Sequence, residues 1–191
     1  MAETPPAPKK RSALTNALIA VVAVVAVFLV VVALQPSDFQ VTRSTSVAAT
    51  ASAVFPLVND MHQWAVWSPW DKVDPGMKRT FEGPASGVGA VYGWSGNNDV
   101  GEGHMTITES KPHELVRIKL EFIKPFAGTN DVQFSFKPDG ARTDVTWTMT
   151  GQKNFVSKAI CMFMSMDKMV GGQFEKGLAD MKAAAEAPPK R

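Results

Sequence analysis

No polar side chain interrupts the run from Ala17 to Leu34, ALIAVVAVVAVFLVVVAL. With Ala13, Leu14, Thr15 and Asn16 ahead of it, the run reaches about 22 residues, which as a helix extends roughly 33 Å, the thickness of a bilayer's hydrocarbon core. A helix apolar on every side has no face to turn to water, so a buried helix of a soluble protein fits poorly. A cleaved signal peptide is the rival reading. Its apolar core is normally about 7–15 residues and ends at a small-x-small site. The exit here, Val32-Ala33-Leu34-Gln35-Pro36, offers no such site. The pattern predicts an uncleaved transmembrane signal anchor over residues 13–34 and a short linker at 35–37.

From Asp38 the period changes from none to two. Phe39, Val41, Thr45 and Val47 alternate with Gln40, Thr42, Ser44 and Ser46, the signature of a half-buried strand. Val54, Phe55 and Val58 then stand at helical spacing behind Thr50 or Ser52 as a cap, with Pro56 near the first turn. A second short helix is expected around Met61–Val66. Strands follow at Met77–Glu82, Val88–Trp94, Val100–Glu109, Glu114–Ile123, Asp131–Lys137 and Thr143–Thr150, separated by turn signals such as Gly83-Pro84 and Pro138-Asp139-Gly140. The segment Phe155–Ala187 returns to helical spacing. Phe155, Ala159, Phe163, Met166, Val170, Phe174, Leu178 and Met181 form one stripe, which Gly171-Gly172 interrupts and is expected to bend. Residues 187–191 form a polar tail.

This order predicts an α+β domain over 38–186. A curved antiparallel sheet of about six to seven strands wraps on a long C-terminal helix, with two short helices after the first strand. The apolar sheet face must be covered, and only the last helix is long enough.

Charge adds orientation. The chain of 191 residues has a formal net charge of +2. Lys9, Lys10 and Arg11 against Glu3 place about that much in residues 1–12, read as a cytoplasmic basic stub. The C-terminal domain is then expected outside the cytoplasm, in the periplasm if the chain is bacterial. Near-neutral charge on the rest argues against a nucleic-acid partner. One cysteine, Cys161, excludes an internal disulfide and any cysteine-cluster metal site, and is expected as a small buried hydrophobe. Three histidines leave little room for a metal site, and no phosphate-binding glycine loop or nucleophile elbow occurs. No metal and no cofactor are expected.

The stretches FQVTRSTSVAATASAVFPLVND, WAVWSPWD, GPASGVGAVYGWSGN, VGEGHMTIT and MDKMVGGQFEKGLADMKAAAE together resemble the SRPBCC superfamily. That group includes START domains, birch-pollen-allergen-like proteins and the polyketide cyclase/dehydrase and lipid transport proteins. The resemblance spans about residues 38–186 and leaves the anchor outside. It implies a helix-grip fold with a hydrophobic cavity. The residues expected to line that cavity are Trp67, Trp70, Arg79, Tyr92, Trp94, Leu120, Phe122, Phe134, Trp147, Phe163, Met166 and Val170.

Individual residues leave alternatives open. Trp64, Trp67 and Trp70 can form an aromatic lid, a plug between short helices and sheet, or an interfacial anchor. Arg79 shares a strand face with Met77 and Phe81. It either needs a carboxylate partner or snorkels from an edge, and Arg43 carries the same ambiguity. Glu102 and His104 fall on the face opposite Met105 and Ile107 and should meet solvent. A bulge at Gly101 or Gly103 would turn them inward as an acid/base couple, the weak catalytic candidates of this chain. The expected function is a membrane-anchored domain that binds a hydrophobic small molecule or lipid, with the bilayer held through residues 13–34. A cyclase- or dehydrase-type enzyme is the alternative, and an envelope protein-interaction module without ligand a further one. The residues name no protein partner.

Overall fold

The computed structural model describes residues 13–188. The stub at 1–12 and the last three residues of the tail lie outside the described residues. The chain divides into two compact units, the first ending at Pro36 and the second beginning at Ser37. The first contains α1, Ala13–Leu34, a 22-residue helix long and apolar enough to cross a membrane.

The second unit begins with β1 (Asp38–Val47) and α2 (Ala51–Asn59). A 3-10 turn at Met61–Gln63 leads into α3 (Trp64–Trp67) and α4 (Pro69–Val73). Then come β2 (Lys78–Glu82), β3 (Val91–Ser95), β4 (Glu102–Lys111), β5 (Leu115–Lys124), β6 (Gly128–Asp139) and β7 (Arg142–Gln152). Two helices end the unit, α5 (Phe155–Cys161) and α6 (Met166–Glu186). Among the described residues the seven strands form one antiparallel sheet in the order β1-β7-β6-β5-β4-β3-β2. The fold is the helix-grip α+β arrangement.

Period-two burial builds one wall of the core. Val145, Trp147 and Met149 of β7 are buried beside Val132, Phe134 and Phe136 of β6, and Val116, Ile118 and Leu120 of β5 continue the layer. Gly171, Phe174, Leu178 and Met181 of α6 are buried at helical spacing against it. The Trp147 ring stacks on Phe174 with centroids 3.9 Å apart, and on Phe134 at 4.8 Å. Gly177 permits this approach, because a Cβ there would press on the Trp147 ring and on Pro69.

The expected single C-terminal helix is two helices. Asn154 caps α5 by accepting from the Ser157 N–H at 2.8 Å, and Ser165 caps α6 by accepting from the Lys168 N–H at 3.3 Å. Ser165 lies between Phe163 and Met166 of the apolar stripe, where its cap restarts the helix although the apolar spacing runs on. The break therefore falls at 162–165 and not at Gly171-Gly172, through which α6 runs unbroken. The buried Gly171 has a different reason. The Arg43 guanidinium lies across it, where a Cβ would collide. From β1, Arg43 Nε donates to Glu175 at 2.6 Å and Nη1 donates to Asp167 at 2.7 Å, so one side chain clamps the start of α6 to the sheet edge. Arg43 holds the Asp167 carboxyl below the usual carboxylate range through these hydrogen bonds. The stripe positions Phe155, Ala159 and Phe163 are not core, since α5 buries no residue, and Cys161 is half-exposed rather than buried.

Candidate functional site

Between the sheet and the helices lies a cavity of about 820 Å³, within the range of small-molecule sites. Trp94, Met105, Leu120 and Phe122 supply its wall from β3, β4 and β5, and Trp147 and Met149 from β7. Met166, Val170 and Phe174 of α6 face them, and Trp64 and Trp70 enter from the short helices. The alternation of the strands makes this surface. Strands β3 to β7 turn their apolar sets inward, and the sheet stands away from α6 where Met166 and Val170 are only half-buried.

One part of the wall is polar. Ser68, Asp71 and Tyr92 line the cavity, and Asp71 is buried. Pro69 starts α4 and places Asp71 in its first turn, where a carboxylate suits the helix dipole. Arg79 of β2 donates from Nε to Asp71 at 2.5 Å and from Nη1 to the Met77 carbonyl at 3.2 Å. The Tyr92 hydroxyl is buried without a hydrogen-bond partner. Burial, and then the nearby negative charge of Asp71, push its pKa up to about 12, against the opposing pull of Arg79. The hydroxyl therefore stays a neutral donor over the whole ordinary pH range. Trp147 Nε1 is a second buried donor without a partner.

The cavity reaches solvent at one end of the sheet. Its rim includes Asp99, the exposed stretch Phe126–Thr129, and Gln152 to Asn154. Strand register brings these segments together, since Asp38 pairs with Gln152, Asn130 with Gly151, and Glu102 with Lys124. Neither histidine nor cysteine lines the cavity. Among the described residues, no group of three or more His, Cys, Asp or Glu is placed to hold a metal ion.

Of the positions named from the sequence, Trp70, Tyr92, Trp94, Leu120, Phe122, Trp147, Met166 and Val170 stand in the wall. Four do not. Trp67 is fully buried one layer behind, with its Nε1 donating to the Leu57 carbonyl at 2.7 Å and its ring against Trp64 and Phe134. Phe134 is buried in the same layer. Arg79 sits behind Asp71 and is turned toward it. Phe163 is 83 % exposed, because it lies in the turn that separates α5 from α6.

Glu102 and His104 are on the outer face. Glu102 accepts from Lys124 at 2.7 Å, and His104 meets Glu121 at 3.0 Å. The register does shift between Glu102 and Gly103, yet Gly103, Met105 and Ile107 remain the buried set. The two residues therefore form no couple inside the cavity. Asp71 and the rim loops escaped the sequence reading. Asp71 stood in the quoted WSPWD stretch, and Pro69 two residues earlier was the signal that it opens a helix. The rim loops carry no periodicity to read.

A family model described as "Polyketide cyclase / dehydrase and lipid transport" matches residues 38–186. No curated protein matches the chain. Solved structures share the fold at low identity. The di-domain ARO/CYC BexL from the BE-7585A biosynthetic pathway is 18% identical with a TM-score of 0.59, covering 92% of this chain and 58% of that one. The Zhui aromatase/cyclase from Streptomyces sp. R1128 is 15% identical with a TM-score of 0.56, covering 78% of this chain and 94% of that one. The Aha1 dimer from Colwellia psychrerythraea is 15% identical with a TM-score of 0.55, covering 80% of this chain and 99% of that one.

Proposed function

The chain belongs to the polyketide cyclase/dehydrase and lipid transport family, and from that premise we propose that it is a membrane-anchored domain that holds a hydrophobic small molecule or lipid. The observation that carries this reading is the cavity of about 820 Å³ with an apolar wall and a short polar segment. An apolar ligand gains roughly 25 cal/mol for each Å² it removes from water. The polar segment orients it. Tyr92 donates to a ligand oxygen, and Asp71, already oriented by Arg79, accepts from a ligand hydroxyl or amine.

In this reading α1 is the anchor, Lys9, Lys10 and Arg11 keep their flank in the cytoplasm, and the domain lies on the other side. A tether raises the effective concentration of the domain near ligand dissolved in the bilayer. Protease added outside cells sealed by the anchoring membrane alone should digest a C-terminal epitope tag, and a tag protected until that membrane is lysed contradicts the orientation.

Four of the chain's five tryptophans line the cavity. Titrating the full-length protein with bromine-substituted lipids should quench its tryptophan emission to saturation. Quenching that stays linear, as by collision alone, contradicts the binding reading.

One observation supports a second reading. Asp71 and Tyr92 share a cavity wall, which suits acid/base work on a bound carbonyl compound. That reading expects Tyr92→Phe to abolish turnover of a cyclising substrate while ligand retention stays within a few-fold. The binding reading expects Tyr92→Phe to weaken retention about tenfold, the worth of one well-placed hydrogen bond.

A further inference from the structure

The segment from Phe155 to Met164 has an unusual surface. Phe155, Val156, Ile160, Met162, Phe163 and Met164 are each between 39 and 83 % exposed. Helix α5 buries none of its residues. Ordinary soluble domains scatter such side chains singly and seldom cluster them. Across the cavity rim, Ile123 and Phe126 are 48 and 54 % exposed. Phe126 and Ser157 both line the cavity, so the two apolar segments flank its opening.

We propose that α5, the Met162–Met164 turn and Phe126 dock on a lipid surface, so that the cavity opens directly onto the bilayer. This rests on the reading of α1 as a membrane anchor. Three features favour lipid over other partners. The Lys153 N–H donates to the Ser37 carbonyl at 2.7 Å, so β1 starts beside the residue that precedes the α5 cap. The apolar run ends at Leu34, and the three steps of chain to Ser37 reach no further than roughly 11 Å. The lipid headgroup zone therefore lies within reach of this end of the sheet. Charge agrees as well. Lys153 and Lys158 are the only charged residues from Lys153 to Met166, and both suit anionic lipid. Phenylalanine and methionine can partition into the acyl boundary from a short helix lying flat.

A ligand then moves between bilayer and cavity without crossing water. The cost avoided is the exposure of apolar surface to water, which limits exchange of such molecules through solution.

Cys161, the single cysteine, is half-exposed within α5 and serves as the reporter. The full-length chain, labelled there with an environment-sensitive fluorophore, is reconstituted in vesicles of phosphatidylcholine and phosphatidylglycerol. Docking predicts quenching by nitroxide-bearing lipids and shielding from aqueous iodide. The control, Asp139→Cys in a Cys161→Ser background, labels the β6–β7 turn at the far end of the sheet and should show the reverse. Phe163→Asp lies outside the cavity wall and should shift the docked population about tenfold toward the iodide-accessible form, the worth of one aromatic side chain.

Each failure reads differently. A chain that leaves the vesicles in an alkaline wash overturns the anchor and this proposal with it. A chain that stays, but whose Cys161 label is quenched by iodide as freely as the control, overturns docking alone. A label shielded from both quenchers indicates contact with protein, a second copy included, and also overturns it.

Discussion

At the scale of single residues, the cavity wall turns on one hydroxyl. Tyr92 is the chain's only tyrosine, so tyrosinate absorbance reports it alone. Its midpoint in the folded protein should lie at about 12, raised first by burial and then by Asp71. An unfolded tyrosine titrates near about 10. Between these values the unfolded state binds fewer protons than the folded one. The stability held in the neutral hydroxyl is thus present below about 10 and falls as pH rises toward the folded value. A midpoint near that of free tyrosine, with circular dichroism still native, would contradict the packing described. Ligand that accepts from this hydroxyl should raise the midpoint further. Removing Asp71's charge by Asp71→Asn should lower it, while leaving Arg79 half-buried without its anion. The residue scale was the least legible in the sequence. The face of Tyr92 was readable, but the orphaned hydroxyl depends on what β2 and α4 place around it. The strand pattern leaves Arg79 open between a carboxylate partner and an edge-strand snorkel, and only the fold brings Asp71 to 2.5 Å from it.

At the scale of elements, alternation and turn signals together located all seven strands, and the inward sets of β4 to β7 follow the polarity pattern. The ends were less readable, because a strand's end is set by its partner. β4 continues to Lys111 only because β5 pairs with it there. The C-terminal helix was misread for a local reason. The apolar spacing of three and four runs through a real break, and only the Ser165 cap marks it. Replacing Ser165 by Ala should cost about 1 kcal/mol of stability, read as a lower denaturation midpoint with unchanged slope. An unchanged midpoint would mean that the cap does not hold the start of α6. The Arg43 clamp adds a pH dependence. Asp167 titrates below its ordinary range, so the clamp's contribution is present above about pH 4 and is lost as pH falls through the lowered value. Hydrogen exchange in the first turn of α6 should accelerate in acid before the β6–β7 amides do. Gly171→Val should open the same turn at neutral pH by displacing the guanidinium. If protection in that turn is indifferent to both changes, Arg43 is not what fastens it.

At the scale of the molecule, the apolar run and the helix-grip pattern were both plain in the sequence. The cavity was not, because a void is a property of what fails to meet. The same alternating residues could have closed on α6 with no space between them. The sequence could propose its lining only through a family resemblance. It chose Trp67 and Phe134, which lie one layer too deep, because strand and helix patterns identify a face without identifying a depth. The central claim is that this space holds an apolar ligand, and native mass spectrometry of the full-length protein released from membranes tests it most directly. The wild-type chain should retain a small apolar molecule. The Leu120→Trp chain, in which the new ring fills the wall at an overpacking cost of about 1–3 kcal/mol, should fold and carry none. A wild-type chain of bare polypeptide mass, even after incubation with a membrane lipid extract, would contradict it.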